Sequence, residues 1–235
     1  MSCCKTNAGE VLKELGYTRI RLKRIPAIQN SAETLDARVL YCRIISVVED
    51  RRLYFLDETG FNPHTSTTYG YALANQDPYI TVPINRGQNV SVLTVIYVTG
   101  LVSFSVMQGA VDRETLVSYL EDEMYPRMPS AEGAVLVMDN ARIHHGNDVT
   151  RWVTRKHLRL EYLPVSSPHL NPIENFFSVV KAHYERHRPR PETFEDLEAV
   201  LLSTLQEFSE MDLSNFYREM RRYVEMGMQR QPFIG

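Results

Sequence analysis

Three carboxylates follow or flank short hydrophobic runs in this sequence and could meet in one divalent-metal site. Asp57 ends the run LYFLD, Asp139 ends AVLVMD, and Glu174 lies within SSPHLNPIENFFSVVK. Three carboxylates that converge without a cation repel and raise one another's pKa values, so a fold that converges them implies a compensating charge. Oxygen ligands select a hard ion such as Mg²⁺ or Mn²⁺, and two ions about 3.5–4 Å apart support in-line phosphodiester displacement. If the side chains converge, the chemistry is the cutting of nucleic acid.

Each carboxylate also has a purely structural interpretation. The fragment DETG that begins at Asp57 resembles a simple turn, and Asp139 followed by Asn140 is typical of a turn or a helix cap. The fragment NPIE predicts a helix start with Asn171 as N-cap, proline at the first position and Glu174 completing a capping box. For Glu174 the two interpretations are compatible, because the helix dipole favours the ionised carboxylate that a metal ligand needs.

The elements that must position these residues can be read from hydrophobic patterning. Short runs rich in Val, Ile, Leu and aromatic residues predict five strands, at 53–56, 89–98, 101–107, 134–138 and 158–163. Helical spacing predicts helices at 8–15, 32–48, 113–124 and 147–156, with further helices from the NPIE fragment to the end. This order predicts an α/β fold in which helices flank a mixed five-stranded sheet.

Composition predicts a globular protein and excludes several classes. The 235 residues are 43% hydrophobic and 23% charged, an ordinary balance for a substantial core. The three cysteines have no C-x-x-C spacing, which argues against a disulfide framework and a zinc site. Neither a signal peptide nor a membrane-spanning run is recognisable, so we expect a soluble, intracellular protein. No phosphate-binding glycine-rich loop occurs, so no nucleotide cofactor is expected.

Charge is distributed unevenly along the chain. The net charge is −3, yet residues 1–49 contain eight Lys or Arg against five Asp or Glu, which leaves about −6 for the rest. Phosphate binding relies on clustered basic residues, so a DNA-gripping surface must be local. A second cluster of basic residues, besides those in 1–49, is KAHYERHRPR at 181–190. It could follow a DNA backbone, but a solvated helix end explains it about equally well. The candidates for DNA contact are Arg19, Arg21, Lys23, Arg24, Arg186 and Arg188.

The fragments around the carboxylates resemble a known family. FLDETGF, VMDNARIHH and YLPVSSPHLNPIENFFSVVK are similar, in order, to the three motif blocks of mariner-like DDE transposases, and the 34 residues between Asp139 and Glu174 are similar to the family's interval. The resemblance covers roughly residues 50–190. It implies a ribonuclease-H-like catalytic domain in which Asp57, Asp139 and Glu174 bind two Mg²⁺ or Mn²⁺ ions and Asp57 bridges them. It also implies that groups beside the carboxylates or in contact with DNA include Asn140, His144, Asn171 and Lys181.

The resemblance further implies an activity and its partners. Members of the family are DNA endonucleases and strand transferases: they hydrolyse a phosphodiester at each transposon end, and the freed 3′ hydroxyl then attacks target DNA. The expected partner is therefore double-stranded DNA, as transposon ends and as target, with a homodimer as the candidate assembly and no membrane. The expected location is the nucleus in a eukaryotic cell and the cytoplasm otherwise.

The resemblance also bears on domain organisation. The fragment VLKELGYTRIRLKR is similar to the last helix and following arm of the second helix-turn-helix unit that precedes the catalytic domain in this family. We therefore expect a remnant of the DNA-binding region plus a basic linker at 1–49, the catalytic domain at 50–190 and a helical extension at 191–235. Most of the sequence-specific DNA-binding region is expected to be missing. Two alternatives stay open: an inactive or domesticated remnant that only binds DNA or protein, and a ribonuclease-H-like nuclease with another substrate.

Overall fold

A five-stranded sheet with helices on both faces forms the centre of the molecule. The computed structural model describes residues 5–18, 25–62, 90–187, 189, 191 and 193–234. Its strands are β1 Leu53–Phe61, β2 Val90–Tyr97, β3 Gly100–Gln108, β4 Val135–Met138 and β5 Arg159–Tyr162. They lie in the order β3-β2-β1-β4-β5; β1, β2 and β3 pair antiparallel, whereas β4 and β5 run parallel to β1. The predicted mixed five-stranded sheet is confirmed.

Helices occupy the connections and both ends of the described chain. They are α1 Lys5–Glu14, α2 Ala32–Ser46, α3 Arg113–Tyr119, α4 Asn147–Arg155, α5 Pro172–Arg186, α6 Phe194–Glu207 and α7 Ser214–Met228. Local capping explains several starts: the Ser31 side chain accepts the N–H of Thr34 at the start of α2, and Thr193 with Asp196 forms a capping box at α6. None of the helices that the structure describes is long and apolar enough to cross a membrane.

Strand β1 is longer than its sequence predicts. The fragment DETG continues the strand to Phe61 instead of forming a turn, so the turn interpretation of Asp57 is wrong. The physical reason is pairing: β2 offers backbone partners along this whole stretch, from Thr94 opposite Asp57 to Val90 opposite Phe61. Phe61 is also buried in the core. Cross-strand hydrogen bonds and burial outweigh the local turn preference of the fragment.

Two hydrophobic cores lie on opposite faces of the sheet. Because side chains alternate along a strand, Leu53 and Phe55 of β1 face the core that α2, α5, α6 and α7 cover, whereas Tyr54 and Leu56 face the core under α3 and α4. The first core thus draws on helices that both precede and follow the sheet. The division into parts at 1–49, 50–190 and 191–235 stays a prediction, and its first and third parts contribute side chains to the core of the second.

Helices α2 and α7 approach closely at a glycine. A Cβ atom added to Gly227 of α7 would lie 2.4 Å from Sγ of Cys42 on α2, far inside van der Waals contact. Cys42 is fully buried, so it has no free space into which to move. The absence of a side chain at Gly227 therefore sets the distance between the two helices.

This contact predicts a background-dependent effect on stability. Gly227→Ala should lower the free energy of unfolding by about 1–3 kcal/mol through overpacking, although alanine has the higher helix propensity. In a Cys42→Ala background the sulfur is gone, so the same substitution should cost much less. Urea denaturation of the four proteins measures both values. Equal losses in the two backgrounds would show that Cys42 is not the obstacle.

Candidate active site

Strand pairing brings two of the three carboxylates together. Parallel strands β1 and β4 are neighbours, and their pairing places Leu56 opposite Met138. Asp57 and Asp139 follow this pair and so lie side by side; β4 ends at Met138, whereas β1 continues past Asp57 to Phe61. The carboxyl end of β4 therefore opens beside a carboxylate of β1, and ligand sites of such sheets form at the carboxyl ends of their strands.

Alternation decides the face on which these carboxylates lie. Phe55 and Val137, two positions before Asp57 and Asp139, both point into the core beneath α5. Side chains two positions apart share a face, so both carboxylates point toward α5 as well. Glu174 comes from the first turn of α5 itself. The three side chains line one open cleft of about 520 Å³.

The cleft places the carboxylates at graded depths. Asp57 is 9% exposed, Asp139 is half-buried, and Glu174 is exposed at the mouth. Among the described residues, no three His, Cys, Asp or Glu side chains stand close enough to grip a metal ion as they are oriented here. In this arrangement Asp57 and Asp139 each accept hydrogen bonds from neighbouring donors. The roles of the three residues as catalytic groups and metal ligands stay predictions.

The engagement of Asp57 corrects the capping prediction. Helix α5 does begin at Pro172 with Asn171 at the N-cap, but the Asn171 side chain makes no cap hydrogen bond. Its Nδ2 instead donates to Oδ2 of Asp57 at 2.8 Å, and both residues are buried. The donor nitrogen of the amide thus satisfies one oxygen of the buried Asp57 carboxylate, as buried polar groups require. Oδ1 of Asn171 is buried with no hydrogen-bond partner.

Burial and neighbouring charge perturb Asp57 strongly. Burial raises the pKa of its carboxyl from the usual 3.8 to about 7, and the negative charges of Asp139 and Glu174 add to the rise. Hydrogen bonds from the Glu58 N–H, 2.8 Å from Oδ1, and from Asn171 act in the opposite direction. Without a cation, this carboxyl therefore exchanges its proton near neutral pH.

Asp139 has the opposite electrostatic setting. Nδ1 of His144 lies 2.6 Å from its Oδ1, which also accepts the N–H of Ala141 at 2.9 Å. The hydrogen bond from His144 is the main cause that lowers the pKa of Asp139. Burial alone lowers the pKa of His144, but the hydrogen bond and charge of Asp139 outweigh it and raise that pKa. Both bonds fall on Oδ1 of Asp139, so Oδ2 is the oxygen left for a ligand.

The remaining residues predicted at the site differ in position. Asn140 lines the cleft and contacts His145, whose ring stacks on Tyr162 with centroids 4.1 Å apart. Lys181 lies two turns after Glu174 on α5, outside this cleft, and lines a neighbouring cavity of about 850 Å³. Glu58 lines both cavities and so marks where they meet.

The predicted DNA-contacting residues are only partly described. Arg186 is exposed at the C-terminal end of α5, beyond Lys181. It lies on the same helix as Glu174 but roughly 18 Å farther along its axis. The other candidates lie outside the described residues: Arg19, Arg21, Lys23, Arg24 and Arg188.

Two contributors to the cleft were missed in the sequence. The loop PVSSP at 164–168 forms one wall, and Arg38 on α2 binds this loop from behind. A signal for Arg38 did exist, because it occupies the buried stripe of α2 together with Thr34, Tyr41 and Ile45. A basic residue on the buried face of a helix needs a polar partner elsewhere in the fold.

Comparison with known proteins places this cleft in a family. The sequence model of the DDE superfamily endonucleases matches residues 52–198, which is more than half of the chain and includes all three carboxylates. The chain belongs to the DDE superfamily of endonucleases. No curated protein sequence matches it.

Solved structures of the Mos1 mariner transposase share the fold of this DDE superfamily member. The Mos1 paired-end complex with the left transposon end matches with a TM-score of 0.79 at 14% identity, over 97% of this chain and 70% of that one. The Mos1 paired-end complex with Mn gives a TM-score of 0.80 at 14% identity, over 98% and 72%. The Mos1 catalytic domain gives 0.64 at 11% identity, over 93% and 100%. The ribonuclease-H-like fold is thereby confirmed.

The raised pKa of Asp57 predicts that replacing this carboxyl by a neutral amide stabilises the metal-free protein, by an amount that depends on pH. Below about pH 4 this carboxyl is protonated in both states; from there to about pH 7 the unfolded chain ionises first, so folding is increasingly penalised. Without metal, Asp57→Asn should therefore melt higher than the wild type, with a difference that grows across this range and then levels off. The gain should reach a few kcal/mol, since one pKa unit corresponds to about 1.4 kcal/mol.

Thermal melting in EDTA at a series of pH values measures this difference. Asp148→Asn is the matched control, because Asp148 is exposed on α4 and paired only with Arg151 on the surface. Its effect on melting should stay small beside that of Asp57→Asn, because an exposed ion pair contributes little to stability. A pH-independent effect of Asp57→Asn would mean that the carboxyl is not strained by burial.

Proposed function

We propose that this chain is the catalytic part of a cut-and-paste DNA transposase, a metal-dependent endonuclease and strand transferase that uses Asp57, Asp139 and Glu174. The observation that carries the proposal is the convergence of these carboxylates, from β1, β4 and α5, on one cleft of a DDE superfamily endonuclease domain. The shared fold with Mos1, whose structures are described with transposon ends, Mn and Mg, supports it.

The cleft residues fit a divalent cation. Burial, and after it the negative charges of Asp139 and Glu174, raise the pKa of Asp57, and a bound cation would favour its ionised form. The atoms of the cleft that could bind a metal include the carboxylate oxygens of Asp57, Asp139 and Glu174. Oδ1 of Asn171 is a further buried oxygen, and it has no hydrogen-bond partner. Such a set favours Mg²⁺ or Mn²⁺ over zinc. Asp57, Asp139 and Glu174 would hold the metal, for which we propose two ions. When bound, they supply Lewis-acid stabilisation of the attacking and leaving oxygens.

The protein's own residues prepare this site in different ways. Asp57 must give up its proton as it becomes a ligand, so the site should load more readily as pH rises toward 8. His144 holds Asp139 ionised and fixes its orientation through Oδ1. Glu174 stands at the exposed mouth, in the first turn of α5, where the helix dipole favours negative charge.

Double-stranded DNA is the proposed partner, as transposon ends and as target. A DNA strand can reach the open mouth beside Glu174, and the exposed Lys181 and Arg186 follow along α5 as candidates for phosphate contacts. The assembly that we assign is a homodimer. The alternative is a derivative that only binds DNA. It would keep these basic contacts but would no longer cleave or join DNA, so an assay of DNA nicking distinguishes the two.

Nicking of supercoiled plasmid with Mg²⁺ or Mn²⁺ tests the chemistry. Asp139→Asn should lower the nicking rate more than about 100-fold, because several kcal/mol of metal stabilisation are lost and about 1.4 kcal/mol corresponds to tenfold. The wild type should also join a duplex with a free 3′ hydroxyl to the plasmid. Asp148→Asn, which removes an exposed carboxylate outside the cleft, should behave as the wild type. A wild type that binds DNA but shows neither reaction would support the silent derivative.

His144 should tune metal affinity without being a ligand. His144→Leu removes the Nδ1–H donor that orients Asp139, so affinity for Mn²⁺ should fall about 10–100-fold, as is typical when the hydrogen-bond partner of a ligand is lost. Free Mn²⁺, followed by its paramagnetic resonance signal, gives the dissociation constant. The neighbouring His145 bonds to Asn140 and influences Asp139 through charge without a hydrogen bond to it, so His145→Ala is the control and should lower affinity less. Equal affinities for the two variants would argue against an orienting role of His144.

A further inference from the structure

Arg38 is a fully buried arginine behind the wall of the cleft. Its Nε donates to Oγ of Ser167 and its Nη2 to the carbonyl of Ser166, both at 2.8 Å. Its Nη1 donates to Oδ1 of Asn30 at 3.1 Å, and the guanidinium lies 4.3 Å from the centre of the Phe233 ring. No carboxylate of the described chain pairs with Arg38, so neutral groups alone hold this charge.

Burying a guanidinium without a counter-ion costs free energy, so its value at this position must come from the hydrogen bonds that its shape allows. Burial lowers the pKa of Arg38, and a charge taken out of water without a counter-ion carries a penalty that hydrogen bonds only partly offset. An apolar side chain of similar length would fill the same space without that penalty. What an apolar residue cannot supply is the rigid fork of N–H donors, which here reaches two neighbouring residues of one loop and a third segment.

The loop that Arg38 grips holds an unfavourable conformation. Ser166 has a φ of 52°, in the left-handed region that side-chain-bearing residues seldom adopt. Arg38 binds the carbonyl of this strained residue and the hydroxyl of the next residue, Ser167. The guanidinium is therefore placed to hold the loop in this shape.

The same loop leads directly to the carboxylates. After Ser167 comes a single 3₁₀ turn at Pro168–Leu170, and then Asn171, which donates to Asp57. Helix α5 starts at the next residue and presents Glu174. Only four positions separate Ser167 from Asn171, so a shift of the loop moves both the donor to Asp57 and the start of α5.

Segments from both ends of the chain close over Arg38. Oδ1 of Asn30 accepts from Arg38 and also from the N–H of Phe233, and the carbonyl of Phe233 accepts from Asn30 and Gln29. These residues lie before and after the family match at 52–198. The support for the cleft loop therefore comes from outside the part of the chain that the family model recognises.

We propose that Arg38 is a positioning residue for the active site. It holds the loop at 163–171 so that Asn171 bonds to Asp57 and α5 presents Glu174 to the cleft. The consequence for metal binding rests on the proposed function, whereas the dependence of the loop on Arg38 does not. Two measurements on the full chain therefore test the two parts separately.

The first measurement is amide hydrogen exchange of the metal-free protein. In Arg38→Met, exchange should become at least about tenfold faster for the amides of Leu170, Asn171 and Glu174, whose N–H groups are bonded within this loop, while β1 and β4 stay protected. Arg221→Met is the matched control. Arg221 makes three hydrogen bonds, to Asp50, Ile45 and Val48 at the end of α2, and none to the cleft loop.

The second measurement is Mn²⁺ affinity by paramagnetic resonance. Arg38→Met should weaken binding about 10–100-fold, whereas Arg221→Met, which also loosens the contact between α7 and α2, should not. Unchanged loop protection in Arg38→Met overturns the proposal, and so does a loosened loop with wild-type Mn²⁺ affinity. If neither wild type nor variants bind Mn²⁺ while the loop loosens only in Arg38→Met, the hold on the loop is supported and the proposed metal chemistry fails.

A second variant covers the case in which Arg38→Met does not fold. Ser167→Ala removes the hydroxyl that accepts from Nε, together with its hydrogen bond to the carbonyl of Val165, and leaves the other contacts of the guanidinium in place. It should show a smaller rise in exchange at the same amides and a smaller loss of Mn²⁺ affinity than Arg38→Met. If Ser167→Ala is indistinguishable from the wild type in both measurements, the proposal is overturned.

Discussion

The carboxylate of Asp57 is buried beside two others, and both its burial and their negative charges disfavour its ionised form. Pairing of β1 with β4 forces Asp57 and Asp139 side by side, so the fold itself creates the excess of negative charge. Neighbouring groups answer it in two ways: the Glu58 N–H and Asn171 donate to Asp57, and His144 donates to Asp139. Even so, the pKa of Asp57 rises to about 7. In the proposed function, a bound cation would offset the negative charge that these hydrogen bonds leave uncompensated.

The graded burial of the three carboxylates agrees with the proposed chemistry. Asp57 lies deepest, where few waters compete and where a shared ligand would be held most rigidly. Glu174 stands at the mouth, where a DNA strand has access, and Asp139 lies between them with its orientation fixed by His144. One cleft therefore contains a buried carboxyl that exchanges its proton near neutrality and a half-buried one that stays ionised.

Support for the cleft reaches well beyond the family match. Helices α2 and α7 share the core beneath β1 and meet at Gly227, while Arg38 and Phe233 close behind the loop that precedes α5. Helices α2 and α7 and the residues near Phe233 thus support the sheet and the cleft loop from outside the family match.

The sequence by itself determined the elements and the candidates. Local patterning located all five strands, the start of α5 at Pro172 and the three carboxylates, because alternation, capping and turn preferences act between near neighbours. Only the tertiary structure decided that DETG continues β1, that Asn171 serves Asp57 instead of capping α5, and that Arg38 holds the cleft loop. These outcomes depend on partners 114 and 129 residues apart for Asn171 and Arg38, and on β2 for the DETG fragment. No local pattern encodes which distant group will arrive to compete for a hydrogen bond.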